Sequence, residues 1–246
     1  METSSSSAIE IASSSSTIRN DNSSSSSETT QSSSSSENIS AGSVYDATAK
    51  TLKDLRDGKT YKTVTIGDQT WMADNLNYET ENSYCYDDDP SNCAKYGRLY
   101  TWAAAMDSVG KWSTNGKGCG FPNTCSPTYP VRGICPEGWH LPDTTEWKTL
   151  FTAVGGSSTA GTALKSTSGW DSSGNGTDSF GFSALPAGYR YDDGDYNNEG
   201  YYADFWSSTE RNSRSAYYML LRYDVGTAHL FNNLKNHGFS VRCLKD

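Results

Sequence analysis

Apolar and polar residues alternate over Tyr61–Ile66 and again over Gln69–Met72, as they do along a β-strand with one buried face. Gly67 and Asp68 separate the two stretches, and such a pair favours a tight turn between antiparallel strands. The pattern therefore predicts a β-hairpin over this part of the chain.

A short helix is predicted from about Leu99 to Met106. Three consecutive alanines raise its helix propensity, and Leu99, Trp102 and Met106 fall on one face. The segment from about Tyr45 to Arg56 precedes the hairpin and is predicted to be a short, partly helical lead-in.

A second helix is predicted behind Asp143. The Asp143 side chain can cap the helix, and Glu146 three residues later completes a capping box. The apolar residues that follow recur at i, i+3, i+4 and i+7, and they are Trp147, Leu150, Phe151 and Val154. The pair Gly155-Gly156 is expected to end the helix.

From Phe180 onward the chain has the composition of strands and turns. Strands are predicted at Tyr201–Ser207, Ala216–Tyr223, Thr227–Phe231 and Gly238–Leu244. Long loops are predicted at Tyr84–Tyr96, Gly110–Cys135 and Tyr189–Gly200. Loops of this length in a compact domain are usually functional or cross-linked.

The first 43 residues differ in composition from the rest, because 20 of them are Ser and no aromatic residue precedes Tyr45. Such a segment buries too little apolar surface to offset its ordering entropy. Residues 1–43 are therefore predicted to be a disordered Ser-rich tether, and residues 44–57 a lead-in segment. Residues 58–246, which hold every Trp and Phe, are predicted to be one domain.

The net charge of −9 disfavours binding to nucleic acid, because binding to phosphates requires basic side chains. No apolar run approaches the roughly 18 residues that span a bilayer. Neither a nucleic-acid partner nor a transmembrane span is expected.

The cysteines indicate where the protein resides. There are six, at Cys85, Cys93, Cys119, Cys125, Cys135 and Cys243. Their even number and the absence of a CxxC spacing favour disulfides over a zinc site or reduced thiols. Proximity favours the pairs Cys85–Cys93, Cys119–Cys125 and Cys135–Cys243, while other pairings stay open. Because disulfides persist in oxidising compartments, the domain is expected to be extracytoplasmic, secreted or attached to the outer membrane or cell surface.

Met1 leads directly into Glu2 and the Ser runs, without an export signal. Because an oxidised domain must be exported, we expect that the native signal is removed and that Met1 stands in its place. A Ser-rich stretch behind a cleavage site is typical of a bacterial lipoprotein spacer. A lipid anchor on the precursor is therefore the hypothesis for membrane attachment.

Several short motifs follow one another along the domain. They are Gly58–Tyr61, Ile66–Leu76, Tyr96–Trp102, Cys135–Pro142 and Ser240–Cys243. Together they resemble the Fibrobacter succinogenes major paralogous domain, a family of secreted or surface-attached bacterial modules. The resemblance covers nearly all of residues 58–246 and implies a surface location, but it implies no defined biochemical activity.

A more distant resemblance is to the formylglycine-generating-enzyme branch of the C-type-lectin-like fold. His140–Trp147 is similar to that group's Leu-Pro-Thr-x-x-Glu-Trp signature, and Gly238–Cys243 resembles its Gly-Phe-Arg ending with two extra residues. The resemblance implies an α+β, C-type-lectin-like domain with two helices packed on irregular, mostly antiparallel sheets. The two chain ends would lie close together, an arrangement that suits a Cys135–Cys243 bridge.

Catalysis is not favoured by the residues. An oxidase of the formylglycine-generating type requires two reactive cysteines near its C-terminal end that bind copper as thiolates, and only Cys243 lies there. The histidines His140, His229 and His237 lack a metal-ligand spacing, and no nucleophile or nucleotide-binding motif is present. Binding without a cofactor is therefore expected.

Two acidic clusters, Asp87–Asp89 and Asp192–Asp195, raise the alternative of a calcium site, because Ca²⁺ prefers carboxylate oxygens. Neither cluster has the EF-hand spacing, and the Glu-Pro-Asn and Trp-Asn-Asp motifs of calcium-dependent lectins are absent. A solvated surface cluster is favoured in both cases.

The segment from Tyr189 to Trp206 is the best candidate for a binding surface. The predicted ligand contacts are Tyr189, Tyr191, Asp192, Asp195, Tyr196, Asn198, Tyr201 and Tyr202. Aromatic faces stack on the C–H faces of sugars, while amides and carboxylates bond to hydroxyl groups. The alternative is that the aromatic residues of Tyr201–Trp206 form the buried face of a strand.

These observations predict a tethered extracytoplasmic binding or display domain whose favoured ligand is polysaccharide or cell-surface glycan. The first alternative is a structural or protein-interaction module of the cell envelope. The second, less favoured alternative is an oxidase of the formylglycine-generating type.

Overall fold

A computed structural model describes residues 37–40 and 42–246 of the chain. This part is mostly β-structure and contains fourteen strands and four α-helices. The strands are β1 (Glu37–Ser40), β2 (Ser43–Asp46), β3 (Thr51–Asp54), β4 (Thr60–Ile66), β5 (Gln69–Met72), β6 (Ser83–Tyr84), β7 (Leu99–Tyr100), β8 (Trp139–His140), β9 (Ala187–Arg190), β10 (Tyr196–Glu199), β11 (Tyr202–Glu210), β12 (Ser215–Arg222), β13 (Ala228–Leu234) and β14 (Leu244–Lys245). The helices are α1 (Pro90–Tyr96), α2 (Trp102–Ala105), α3 (Thr144–Ala153) and α4 (Ser157–Leu164), and a 3-10 turn covers Tyr86–Asp88.

The first sheet combines segments from early and late in the sequence. Its order is β1-β2-β3-β4-β5-β14-β8, and all neighbouring strands are antiparallel. Leu244 of β14 lies opposite Trp71 of β5 and His140 of β8. The late strand β14 therefore joins two strands that have no direct pairing with each other.

The second sheet has the order β10-β9-β11-β12-β13, and β6 and β7 form a small separate pair. All neighbours in the second sheet are antiparallel except β9 and β11. Because side chains alternate along a strand, consecutive residues of β11 enter different cores. Phe205 packs near Trp147 in one core, with ring centroids 6.1 Å apart, and Trp206 packs on Phe239 in the other, at 4.3 Å.

The two best-marked predicted elements are confirmed. Strands β4 and β5 form the predicted hairpin. The Asp143 carboxylate accepts hydrogen bonds from the backbone N–H groups of Thr145 and Glu146, and the Glu146 carboxylate accepts one from the Asp143 N–H group. This is the predicted capping box at the start of α3.

The predicted lead-in helix at Tyr45–Arg56 is wrong, because this segment forms the hairpin β2–β3. Tyr45 lies opposite Leu52, whose side chain is fully buried. The Asp46 carboxylate accepts two hydrogen bonds from backbone N–H groups of the turn. Burial of Leu52 and this turn outweigh the helix propensity of the two alanines between the strands.

The number of helices also differs from the prediction, since the described residues contain four rather than two. Of the predicted helix at Leu99–Met106, only α2 is helical, because Leu99 and Tyr100 pair with β6. Helix α1 begins with a proline behind the capping side chain of Asp89, and α4 follows Gly156. Both starts carry local signals that the sequence analysis did not use.

Two further segments differ from their predictions. The predicted loop at Tyr189–Gly200 contains the hairpin β9–β10. The predicted strand at Gly238–Leu244 is extended chain with isolated bridges to Arg190, Tyr100 and Phe205, and only Leu244 belongs to a strand. The extended segment crosses between the two sheets instead of pairing along one neighbour.

The three predicted disulfides are confirmed as Cys85–Cys93, Cys119–Cys125 and Cys135–Cys243. The first two close short loops, with sequence separations of 8 and 6 residues. The third links residues 108 positions apart and joins the segment before β8 to the residue before β14. It therefore cross-links the part of the first sheet in which β14 pairs with β8.

The Ser-rich tether predicted over residues 1–43 lies mostly outside the described residues. Its last part is described: β1 pairs with β2, and the buried Ser43 side chain donates a hydrogen bond to the backbone oxygen of Glu137. The end of the predicted tether thus belongs to the first sheet. Within residues 37–40 and 42–246, no helix combines the length and apolar composition needed to cross a membrane.

Candidate ligand-binding site

The β9–β10 hairpin divides the predicted contact residues between two faces. Tyr189 lies opposite Asn197, and Arg190 lies opposite Tyr196. Since neighbouring positions of a strand point to opposite sides, Tyr189 and Tyr196 cannot contribute to one surface. The sequence analysis did not separate them, because it did not use the Asp193-Gly194 pair, which favours a tight turn, to predict a hairpin in this segment.

Tyr196 faces the segment that contains the first acidic cluster. Its ring lies 5.2 Å from that of Tyr86, and its hydroxyl donates a hydrogen bond of 2.6 Å to the Asp88 carboxylate. Burial and then this carboxylate raise the pKa of Tyr196 to about 12. Tyr196 therefore has a packing role at this face.

The structure gives the acidic clusters no metal-binding geometry within the residues it describes. Asp89 caps α1, and its hydrogen bond from Ser91 lowers the pKa of the Asp89 carboxyl. Asp193 accepts a hydrogen bond from the backbone N–H of Asp195 in the exposed turn. No group of three or more His, Cys, Asp or Glu side chains in the described ranges could hold a metal ion.

Tyr189 and Tyr191 meet on the other face of the hairpin. Their hydroxyl groups are 2.8 Å apart, and the Asn198 side chain donates a hydrogen bond of 3.3 Å to the Tyr189 hydroxyl. The ring of His237 lies 5.2 Å from Tyr191 and 6.3 Å from Tyr189. Asp192 stands at the edge of this group, 3.9 Å from Nε2 of His237.

His237 is buried, and its Nδ1 atom has no hydrogen-bond partner among the described residues. Burial lowers the pKa of His237, and the opposite effect of Asp192 and Asp193 is smaller. The imidazole is therefore neutral at physiological pH.

The same face continues across the second sheet. Alternation places Tyr202, Asp204 and Trp206 of β11 on one side, and the strand register places Tyr218 of β12 beside Phe231 of β13. The chain around Phe239 covers Trp206, so that Trp206 is fully buried while Tyr202 is partly exposed. The alternative prediction, that aromatic residues of Tyr201–Trp206 form the buried face of a strand, is therefore confirmed for Trp206.

We call the surface formed by Tyr189, Tyr191, Tyr202, Tyr218 and Phe231 the aromatic patch. Its rings come from four strands or their ends, and Phe231 at one end is 48 % exposed. Neighbouring strands lie about 4.8 Å apart, so the patch extends roughly 14 Å across β9, β11, β12 and β13. The hydroxyl groups of Tyr202 and Tyr218 have no hydrogen bond to another described residue.

Asp204 lies on the patch side of β11 and was not among the predicted contacts. It is only 1 % exposed, and its Oδ1 atom has no partner among the described residues. Burial raises the pKa of Asp204 well above its usual range. Burial and then the charges of Asp204, Tyr189 and Tyr202 raise the pKa of Tyr218, which indicates that these groups lie close together. The alternating Tyr202-Ala-Asp204-Phe-Trp206 sequence contained the signal that could have found Asp204.

Three predicted contacts lie away from the aromatic patch: Tyr196, which faces Tyr86 and Asp88 on the opposite side of the hairpin, Tyr201 and Asp195. Tyr201 is 37 % exposed, packs edge-on against Tyr223 at 5.0 Å and is held by Asp171, whose hydrogen bond raises the pKa of Tyr201. Asp195 is exposed at the β9–β10 turn. Tyr189, Tyr191, Asp192, Asn198 and Tyr202 are the predicted contacts that lie at or beside the patch.

The remaining histidines have local partners. His140 is bonded on both ring nitrogens, at 2.6 Å to the Asp246 carboxylate and at 2.8 Å to the Glu146 carboxylate. His229 is bonded to the Thr227 hydroxyl through Nε2, at 2.6 Å. All six cysteines form disulfides, so none of them is a free thiol.

Comparison with known families supports the resemblance found in the sequence motifs. A family model described as the Fibrobacter succinogenes major domain matches residues 64–245, a range that includes the whole aromatic patch and all six cysteines. No curated protein and no solved structure matches the chain. Because the family model covers most of the sequence, the chain belongs to the Fibrobacter succinogenes major domain family.

Proposed function

We propose that this protein is a tethered extracytoplasmic binding domain that recognises polysaccharide or cell-surface glycan through the aromatic patch. The observation that carries the proposal is the patch itself, where the partly exposed rings of Tyr189, Tyr191 and Tyr202 and the exposed ring of Phe231 lie beside the buried Tyr218 and beside polar atoms without a hydrogen-bond partner among the described residues. Rings of this kind bind the apolar faces of sugars, and free hydroxyl, carboxyl and imidazole groups bind sugar hydroxyls.

Three disulfides support the extracytoplasmic location, because they persist where the environment is oxidising. A secreted or lipid-anchored precursor is part of the same proposal, with the Ser-rich segment as spacer. We also propose a C-type-lectin-like arrangement, which the pairing of β14 with β5 and the Cys135–Cys243 bridge favour.

The experiment is a pull-down of the purified protein on insoluble cellulose, insoluble xylan and cross-linked pectin. The test variant is Tyr191→Ala/Tyr202→Ala, which removes two partly exposed rings of the patch. The matched control is Tyr201→Ala, which removes an exposed tyrosine that lies outside the patch. We expect the double variant to lose retention by about tenfold or more, since each stacked ring contributes on the order of 1 kcal/mol. The control is expected to bind as the wild type does.

Thermal unfolding of each variant separates loss of a contact from loss of the fold. A stable double variant with full retention would contradict the proposal, and so would a wild type that binds none of the three materials. In that last case the patch would be assigned to the alternative, an interaction with another envelope protein, and cross-linking through residue 191 in the native envelope would test it.

A further inference from the structure

An unpaired carboxyl group under the aromatic patch requires an explanation. Buried polar groups are nearly always hydrogen-bonded, because an unpaired one costs about 1–3 kcal/mol. Asp204 is 1 % exposed and Oδ1 has no partner among the described residues. Such a group in a native fold is expected to have a purpose that the unliganded protein does not reveal.

The groups that face Asp204 come from each neighbouring strand. Leu220 lies directly opposite on β12 and gives no hydrogen bond. Burial is the main cause of the raised pKa of Tyr189, and the charge of Asp204 adds to it. Burial also raises the pKa of Tyr218, and the charges of Asp204, Tyr189 and Tyr202 add to that effect. Tyr189 and Tyr218 therefore lie close to Asp204. No Lys or Arg forms an ion pair with Asp204 in the described residues, and burial is what raises its pKa.

The surrounding charges are unfavourable to an anion. Arg222, which lies opposite Tyr202, forms a salt bridge of 2.8 Å with Asp224. Asp192 and Asp193 are exposed at the His237 end of the patch. A carboxylate on the ligand would have to compete with Asp224 for Arg222 and would also meet the negative side chains of Asp192 and Asp193.

We propose that uncharged Asp204 donates a hydrogen bond to a ligand oxygen and restricts the aromatic patch to neutral polysaccharides, excluding those rich in uronic acid. This inference rests on the proposed function and specifies its ligand class. Tyr202 precedes Asp204 by two residues on the same strand face, and no hydrogen bond holds its hydroxyl. Access of a ligand to the carboxyl group requires this ring to move from its position beside Arg222, whose guanidinium carbon lies 5.6 Å from the ring centroid.

Two substitutions distinguish a hydrogen-bonding role from simple packing. Asp204→Asn keeps the shape and a donor group but cannot ionise. Asp204→Leu keeps a similar volume and removes the hydrogen-bonding group. With soluble xylan as the probe, we expect Asp204→Asn to bind within about threefold of the wild type and Asp204→Leu to bind about tenfold more weakly, the effect of one lost hydrogen bond.

The ligand class is tested with soluble polygalacturonate beside xylan. We expect the wild type to bind polygalacturonate at least about tenfold more weakly at low salt, where repulsion is strongest. A rise in pH that ionises Asp204 should weaken the binding of xylan to the wild type, while Asp204→Asn should retain it.

Stability measurements check the protonation state without any glycan. Because the folded pKa of Asp204 is raised, its favourable contribution is complete below its unfolded pKa and is lost as pH rises towards the folded pKa. The melting temperature of Asp204→Asn relative to that of the wild type should therefore increase as pH rises from 4 to 8. If the difference in melting temperature between the two proteins does not change with pH, the inference that Asp204 is uncharged in the folded protein is refuted.

The outcomes separate this inference from the proposed function. If Tyr191→Ala/Tyr202→Ala loses xylan while a folded Asp204→Leu binds it fully, the binding function holds and the role of Asp204 is refuted. If the wild type binds xylan and polygalacturonate equally through the patch, only the restriction to neutral polysaccharides is refuted. If the wild type binds none of cellulose, xylan and pectin, both proposals are refuted.

Discussion

His140 is expected to make the stability of the domain depend on pH, and substitution by Gln tests this. The imidazole lies between the carboxylates of Glu146 and Asp246 and joins α3 to the strand β14 region. Burial alone would lower the pKa of His140, but its hydrogen bonds to Asp246 and Glu146 outweigh burial and raise it to about 9. In His140→Gln the side chain cannot carry the charge that both carboxylates bind.

The size of the effect follows from the shift. The rise from 6.5 to about 9 corresponds to an upper bound of roughly 3 kcal/mol, at 1.36 kcal/mol for each pKa unit. The side chains of Glu146 and Asp246 are 30 % and 50 % exposed, so solvent screens the pair and reduces the contribution to about 1–2 kcal/mol. Because the folded pKa is raised, this stability is fully present below pH 6.5 and is lost as pH rises through 9.

The assay is urea unfolding of wild type and His140→Gln at pH 6.0, 7.5 and 9.5, followed by tryptophan fluorescence. We expect the advantage of the wild type in unfolding free energy to fall by about 1–2 kcal/mol from the lowest to the highest pH. His229→Gln is the control for loss of an imidazole, since His229 is bonded to the Thr227 hydroxyl and has no carboxylate partner in the described residues. An advantage for wild type over His140→Gln that is flat or grows with pH would refute the reasoning.

Two other predictions concern the cross-links and the N-terminal segment. Titration of the denatured, unreduced protein should find no free thiol, and Cys135→Ser/Cys243→Ser should lower stability most, by about 4–5 kcal/mol against about 2–3 kcal/mol for either short loop. Two or more free thiols would contradict the pairing. Deletion of residues 1–36, predicted to be a tether, should leave the melting temperature unchanged, whereas deletion of residues 1–57 removes the buried Leu52 and should lower it by several degrees. Equal stability of the two truncated proteins would show that β2 and β3 contribute nothing.

The predictions that succeeded rest on contacts between residues close in sequence. The capping box needs only Asp143 and Glu146, and the Cys85–Cys93 and Cys119–Cys125 bridges join neighbours in the chain. The bridge Cys135–Cys243 followed once the short pairs were formed. Local spacing contains enough information for such features.

The parts of the site that were missed depend on tertiary structure. Tyr196 and Tyr191 have similar neighbours in the sequence, and only the hairpin register places them on opposite faces. Asp204 was not among the predicted contacts, and its proximity to Tyr189 and Tyr218 on two other strands depends on the tertiary structure. The partners of His140 include a residue 106 positions away, which no local pattern identifies.

The position of β14 determines when the first sheet can be completed during synthesis. Its neighbours β5 and β8 pair with β14 on either side and not with each other. A growing chain that has reached Lys235 has already made every other strand of both sheets but still has a gap between these two. Native closure of the domain must therefore wait until the last strand leaves the ribosome. The Cys135–Cys243 bridge must wait for the same step, because Cys243 immediately precedes β14 in the chain.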